Sequence, residues 1–388
     1  MKNLQVFGLA TNHPDPVNKY WGVFNQRSIK SIADKGVDIK AIIPRPYSPP
    51  FSKYNKIPER GSDDSYPKYY PRFWYLPPKS VFYGFSGESY SKHVTKFLEN
   101  NLDRPDIVHA FHIYLDGYGV LNYCKKNDLP LVVTSHGDIL REYWLKSDIR
   151  KRIKPVLDYS SAILCVSDDL ADIARSRVDD KEKVKVVPIG VDIEEFRNYN
   201  EKSDDDVLRI LFVGQFIERK GISTLLKIIK SIRDTDYNIS FKLVGFKGDL
   251  KNKIEKFIKN NSKNNVELIE ECPEEKLKRL YSESDIFLLP SKAEGRPTVI
   301  YEAMASECVI ISTEVGGIPE QVKEGYNGFL TQPESPEEMV NKILYLYDDR
   351  EKLKEMCKNS RQRIIENDWT WDGYADRVLK VYDDVLDI

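Results

Sequence analysis

The sequence predicts an α/β protein of two successive doubly wound domains, each with a largely parallel sheet. Short apolar runs alternate with helix-period segments along nearly the whole chain, the pattern of repeated βαβ units. Between the two domains the alternation breaks at the acidic stretch ending in Asp204-Asp205-Asp206, and then restarts. The length of 388 residues also exceeds what one hydrophobic core ordinarily serves.

Composition narrows the class. A hydrophobic content of 41% supports sizeable cores and excludes global disorder. A formal net charge of -2 makes no case for nucleic acid as a partner. The charge is uneven: residues 1–100 hold 15 Lys and Arg against 8 Asp and Glu. Such a basic N-terminal stretch suits an anionic membrane or anionic acceptor, or is an ordinary solvated surface. The five cysteines, at 124, 165, 272, 308 and 357, are odd in number and lack CxxC spacing. They read as core residues of a reduced, cytoplasmic protein rather than a disulfide or zinc framework. The start MKNLQVFGLA lacks the pattern of a signal peptide, and no apolar run reaches the roughly 18 residues of a membrane span.

The elements follow in order. Residues 4–10 form a strand, 11–21 a polar loop, and Gly22 opens a helix to 35 with Gly36 at its end. A second strand covers 37–43. Residues 44–87, rich in Pro, Tyr, Phe, Lys and Arg, break the pattern and read as a long connection without clear elements. Its aromatics among basic residues suit a lipid headgroup or a sugar face, or simply cover the domain. Alternation resumes with a helix over 90–100, a strand over 107–110, a helix over 117–127 and a strand over 131–135. His136 follows at a strand end, with His109 and His112 flanking another. A strand over 163–166 precedes Ser167, a helix cap, and 184–188 closes the first domain. The acidic hinge reads as a solvated linker rather than a metal site.

The second domain opens with a strand over 210–213 and the turn Gly214-Gln215-Phe216-Ile217-Glu218-Arg219-Lys220-Gly221. The helix after it puts Leu225, Leu226, Ile229 and Ile232 on one face. Glycines before a helix, beside Arg219 and Lys220, suit a diphosphate. A strand over 241–244 ends in Gly245. Asp234-Thr235-Asp236 spells a DxD metal motif, but it lies between a helix end and a strand, so it reads as a chance match.

The stretch from Pro290 to Gly328 is the most informative. A buried strand over 286–289 ends at Pro290, and Pro297 starts a helix whose first N–H groups offer an anion site. Glu294 in the loop and Glu302 in the helix can border one crevice at the carboxyl end of the sheet, where open α/β sheets bind ligands. Gly316-Gly317 would bring the next loop close to the same ligand. Two charged helices, over 335–348 and 350–366, and a last helix after Trp369-Thr370-Trp371 complete the chain.

The spacing of Glu294, Glu302, Ala303-Met304-Ala305 and Gly316-Gly317 resembles the donor-site signature of retaining glycosyltransferase family 4. Glu307-Cys308 stands where that family commonly has Gly-Pro. The resemblance implies the GT-B architecture: a Rossmann-like acceptor domain (1–190), a Rossmann-like nucleotide-sugar domain (191–368) and a helix (369–388) crossing back to the first. It implies transfer of a sugar from a nucleotide diphosphate to a hydroxyl of a glycan, glycolipid or lipid-linked acceptor, with no cofactor and no metal. Lys220 would hold the donor phosphates; Gln215 replaces a family Arg, leaving Arg219 to assist. Glu302 would hold the ribose, and Glu294 the sugar hydroxyls and the charge developing near the anomeric carbon. Gly214, Gly245, Cys272 of the Glu271-Cys272 loop, Gly295, Arg296, Pro297, Thr298 and Val299 would line the donor site. His136 would reach the donor sugar or its phosphates. Trp21 and Gly22, in Tyr20-Trp21-Gly22, would form the acceptor loop. A nucleotide-sugar epimerase of similar shape, or a non-catalytic sugar-nucleotide-binding subunit, are the alternative readings.

Overall fold

The computed structural model describes the chain apart from residues 1–3, 20, 49–51, 63–64, 77–82, 198–204, 246–247, 261–264, 271 and 388. Tyr20, Asp204 and Glu271 therefore lie outside the described residues. The chain forms two compact units: Met1–Ile189 with Trp371–Ile388, and Gly190–Thr370. Among the described residues, no helix is long and apolar enough to cross a membrane.

The first unit contains β1 (Gln5–Leu9), β2 (Asp38–Ile42), β3 (Arg45–Pro46), β4 (Arg60–Ser62), β5 (Pro67–Tyr69), β6 (Arg72–Phe73), β7 (Ile107–Ala110), β8 (Leu131–Ser135), β9 (Ala162–Cys165) and β10 (Val184–Val186). Its main sheet has the order β10-β9-β8-β7-β1-β2-β5-β4, parallel except for the antiparallel edge strand β4. Successive residues point to opposite faces, and both faces are buried. Phe7, Leu9, Val108 and Val133 enter one core, whereas Val6, Ile107, Val132 and Leu164 enter the other. The last helix, Trp371–Leu386, lays Tyr374, Val378 and Tyr382 on the second core beside Ile29 and Ile32. Lys35 fastens it through Asp372 and Asp376, each at 2.7 Å.

Segment 44–87 differs from the expectation of a structureless connection. It supplies β3 to β6, and β5 extends the main sheet beside β2. Tyr66, Tyr70 and Phe73 are buried, so these aromatics build the core, while Tyr47 and Trp74 remain exposed. The helix expected over 90–100 spans Tyr83–Asn101.

The second unit carries β11 (Leu208–Val213), β12 (Ile239–Val244), β13 (Val266–Ile269), β14 (Ile286–Leu289), β15 (Val309–Thr313) and β16 (Gly328–Thr331). All pairings are parallel, in the order β13-β12-β11-β14-β15-β16. The chain winds outward from β11 to one edge, then returns and winds outward from β14 to the other. β11 and β14 are thus the point where strand order reverses, the usual ligand position in such sheets. Leu225, Leu226, Ile229 and Ile232 are all buried, as their helical spacing predicts.

Candidate functional site

The loops leaving β11 and β14 build the candidate site of the second unit. After β11 the chain passes Gly214, exposed Gln215 and buried Phe216 into a tight turn, Glu218–Lys220, before helix Ile222–Arg233. Gly221 has φ 73, and a Cβ there would lie 1.7 Å from the Pro290 carbonyl oxygen. Only glycine permits this approach, which lays the Lys220 turn on the exit of β14. The Lys292 N–H donates to the Arg219 carbonyl at 2.8 Å, and the Lys292 ammonium bridges Glu218 and Glu334 at 2.8 and 2.6 Å.

At the centre, Lys220 Nζ donates to Glu294 Oε1 at 2.6 Å. Both side chains are largely buried, 15% and 6% exposed, so the pair is shielded from bulk solvent. The same oxygen accepts the Ser291 hydroxyl at 2.6 Å. Ser291 was missed in the sequence; its place immediately after the strand-ending Pro290, one turn before Glu294, was the available signal.

The following helix spans Thr298–Ala305. Pro297, expected within its first turn, instead precedes it in an extended conformation, and no side chain caps the start. The dipole end at Thr298 and Val299 thus opens on the Glu294 loop. Tyr281 donates its hydroxyl to Glu302 Oε2 at 2.9 Å. Burial, and then the Glu302 charge, hold that phenol well above the ordinary tyrosine range, so it stays a donor. Gly316, at φ 56, would place a Cβ 2.0 Å from the Glu294 carbonyl oxygen. The Gly317 N–H donates to the Gly295 carbonyl at 2.7 Å. The glycine pair therefore clamps the 294–295 loop itself, a closer engagement than the approach to a ligand expected of it.

Other expected donor residues sit differently. Arg296 is buried in an ion pair with Glu320 and donates to the Tyr301 hydroxyl. Its guanidinium lies 5.0 Å from the Trp369 ring centroid. The structure thus brings Arg296 to an aromatic knot, not to Lys220 and Glu294. A Cβ on Gly245 would lie 2.3 Å from the Gly214 carbonyl oxygen, so these two glycines let the β11 and β12 exits touch. Cys272 is half-buried beside the Pro273 carbonyl.

In the first unit, the strand order reverses at β1 and β7, and the expected acceptor residues gather there. Gly22 has φ 73, and a Cβ there would be 2.3 Å from the Asn12 carbonyl oxygen. Trp21 Nε1 donates to Asn12 Oδ1 at 3.0 Å, though the ring is exposed. Asn25 donates to the Asn12 carbonyl at 2.6 Å, and Asn12 pairs with His112 Nε2 at 3.2 Å. His136 lies 5.0 Å from the His112 ring and 4.8 Å from Phe24, centroid to centroid. Burial, and then His112, hold it well below the usual histidine range, so the ring is neutral. Its Nε2 is buried without a partner among the described residues. His109, by contrast, is spoken for: Tyr382 at 2.6 Å and Thr134 at 2.8 Å occupy its two nitrogens.

Known proteins match this chain end to end. Residues 24–195 match Glycosyltransferase Family 4, and residues 192–363 match Glycosyl transferases group 1. An uncharacterised glycosyltransferase of Methanocaldococcus jannaschii is 30% identical over 308 residues, 78% of this chain and 83% of that one. In fold, the chain is similar to the sucrose-phosphate synthase of Thermosynechococcus elongatus, with TM-score 0.80, 16% identity and coverage of 98% and 99%. It is also similar to Anabaena HepE solved with UDP-glucose, with TM-score 0.72, 16% identity and coverage of 98% and 100%. With two doubly wound sheets, family matches across both units and a relative at this identity, the chain belongs to glycosyltransferase family 4 and is a nucleotide-sugar-dependent glycosyltransferase of the GT-B class.

Proposed function

We propose that the protein moves a hexose-type sugar from a nucleotide diphosphate to an acceptor hydroxyl with retention at the anomeric carbon. The observation that carries this reading is the 2.6 Å contact of Lys220 with Glu294 where strand order reverses in the second sheet. The bond from the anomeric carbon to the diphosphate oxygen breaks, and its electron pair stays on the phosphate. Lys220, assisted by Arg219 and the N–H groups of Thr298 and Val299, neutralises that charge, the role a divalent ion plays elsewhere. Glu294 takes sugar hydroxyls and faces the positive charge developing at the anomeric carbon. Glu302, oriented by Tyr281, takes the ribose hydroxyls. The acceptor oxygen bonds to the anomeric carbon from the face the phosphate leaves, and its proton passes to that phosphate. His136 and the Trp21-Gly22 loop serve the sugar and the acceptor. The acceptor is a glycan or lipid-linked hydroxyl, met at the cytoplasmic side of an anionic membrane through segment 44–87.

UDP-, GDP- and ADP-sugars are the donors to screen by thermal shift, UDP first because HepE was solved with UDP-glucose. With the donor so selected, Lys220→Ala and Glu294→Ala should each lower kcat/KM by roughly 100-fold or more, and chelator should leave the wild type active. Near-wild-type transfer by either variant, or loss with chelator and recovery with manganese, would end this reading.

A further inference from the structure

We infer that Ser291 is a positioning residue that holds the Glu294 carboxylate in place while Lys220 engages the donor phosphates. The inference rests on the function proposed above. Glu294 Oε1 receives two donors, Lys220 Nζ and Ser291 Oγ, both at 2.6 Å. Among the described residues, Oε2 receives none. The two donors differ in what a ligand does to them. Lys220 ends a long flexible stem and carries the positive charge a diphosphate attracts, so the donor competes with Glu294 for it. Ser291 is fully buried and carries no charge. Its main chain is pinned as well: the Thr313 hydroxyl donates to the Ser291 carbonyl at 2.5 Å, and Ser312 to the Leu289 carbonyl at 2.7 Å.

A buried carboxylate that loses its cation needs a remaining donor or it rotates and takes up a proton. Ser291 is that donor. It keeps Oε1 anchored, so Oε2 is presented in one direction to a sugar hydroxyl and to the charge that develops during transfer. The residue touches neither substrate nor reacting atoms and acts only through Glu294.

The test uses the full chain and measures nucleoside diphosphate release from UDP-glucose, GDP-mannose and ADP-glucose. Ser291→Ala should lower kcat about 10- to 100-fold and leave KM and the affinity for the free nucleoside diphosphate within about twofold. Ser291→Thr and Ser291→Val add equal bulk, but only threonine keeps the hydroxyl. The threonine variant should exceed the valine variant in kcat by about tenfold at matched melting temperature. Equal kcat in those two, or an alanine variant within threefold of wild type, overturns the inference. So does a loss in which melting temperature and nucleotide affinity fall together, since that assigns Ser291 to the fold. In each of those cases a strong loss in Lys220→Ala leaves the site reading standing. If Lys220→Ala is also unimpaired, the site reading itself fails.

Discussion

The Asp116 carboxyl is fully buried, and its neighbours compensate only in part. Thr11 donates its N–H at 3.0 and 3.2 Å to the two oxygens, its hydroxyl adds another bond, and Tyr90 donates at 2.9 Å. Burial outweighs these donors and pushes the carboxyl up to about 7. An unfolded aspartate releases its proton near pH 3.8, so between about 4 and 7 the folded chain holds a proton that the unfolded chain has lost. Stability contributed at this site therefore falls as pH rises through that window and is level above it. His109 works in the opposite sense. Burial lowers it to about 3, so it costs stability as pH falls below 6.5. Comparison with Asp116→Asn isolates the carboxyl: wild type minus variant, by urea denaturation, should be larger at pH 5 than at pH 8 by about 2 kcal/mol. A gap that is flat with pH would contradict the assignment. Asp116 gave no signal in the sequence, where an aspartate in a Tyr- and Gly-rich stretch reads as solvated. The positions of Lys220 and Glu294 after strand exits, and of Glu302 within the helix that follows Pro297, were legible because the neighbouring glycines and prolines announce those turns. Ser291 was marked only by its place three residues before Glu294, and the diversion of Arg296 to Glu320 by nothing, since side-chain partners distant in sequence leave no local pattern.

At the scale of elements, helix Thr298–Ala305 ends on an unusual residue. Glu307 has φ 60, a left-handed conformation that usually belongs to glycine. The helix stops nonetheless, because the Glu307 N–H reaches the Met304 carbonyl at 3.0 Å and Cys308 reaches Ala303 at 2.9 Å. Glu307→Gly should relieve the strain and raise stability by about 1 kcal/mol, read from the urea midpoint at unchanged slope. A loss of stability would mean that the Glu307 side chain contributes more than its backbone costs. Glycine also explains why helix Tyr83–Asn101 begins earlier than its periodicity suggests. Gly84 and Gly87 resemble breakers, yet a Cβ at Gly84 would meet Asp148 at 2.6 Å, and one at Gly87 the Tyr114 hydroxyl at 2.9 Å. They are there for close packing inside a helix. The strands of two and three residues within 44–87 were invisible for a simpler reason: such lengths carry no period. The long parallel strands, buried on both faces, read as plain apolar runs, and those expected over 107–110 and 131–135 match β7 and β8.

Across the whole molecule, charge is the feature most clearly written in composition. The basic first hundred residues belong to one unit, whose surface includes Tyr47 and Trp74, exposed rings 4.8 Å apart. If this unit meets an anionic membrane, the protein should sediment with vesicles containing anionic lipid and not with neutral ones, and about 0.5 M salt should release it. Equal partition to both vesicle types, or to neither, removes the membrane from the proposal. The acceptor's identity, by contrast, is not legible in composition, because many hydroxyl-bearing partners share the same charge.

The second unit begins and ends on neighbouring residues. Val191 donates its N–H to the Trp369 carbonyl at 3.0 Å and bridges Thr370. Its whole six-stranded sheet lies between those two points, with entry and exit side by side. The chain enters and leaves it once each, so exchange of residues 190–370 for the matching stretch of a relative should give a folded hybrid, read as a single cooperative melt with activity. Nucleotide choice should travel with the graft, and acceptor choice should stay with the host.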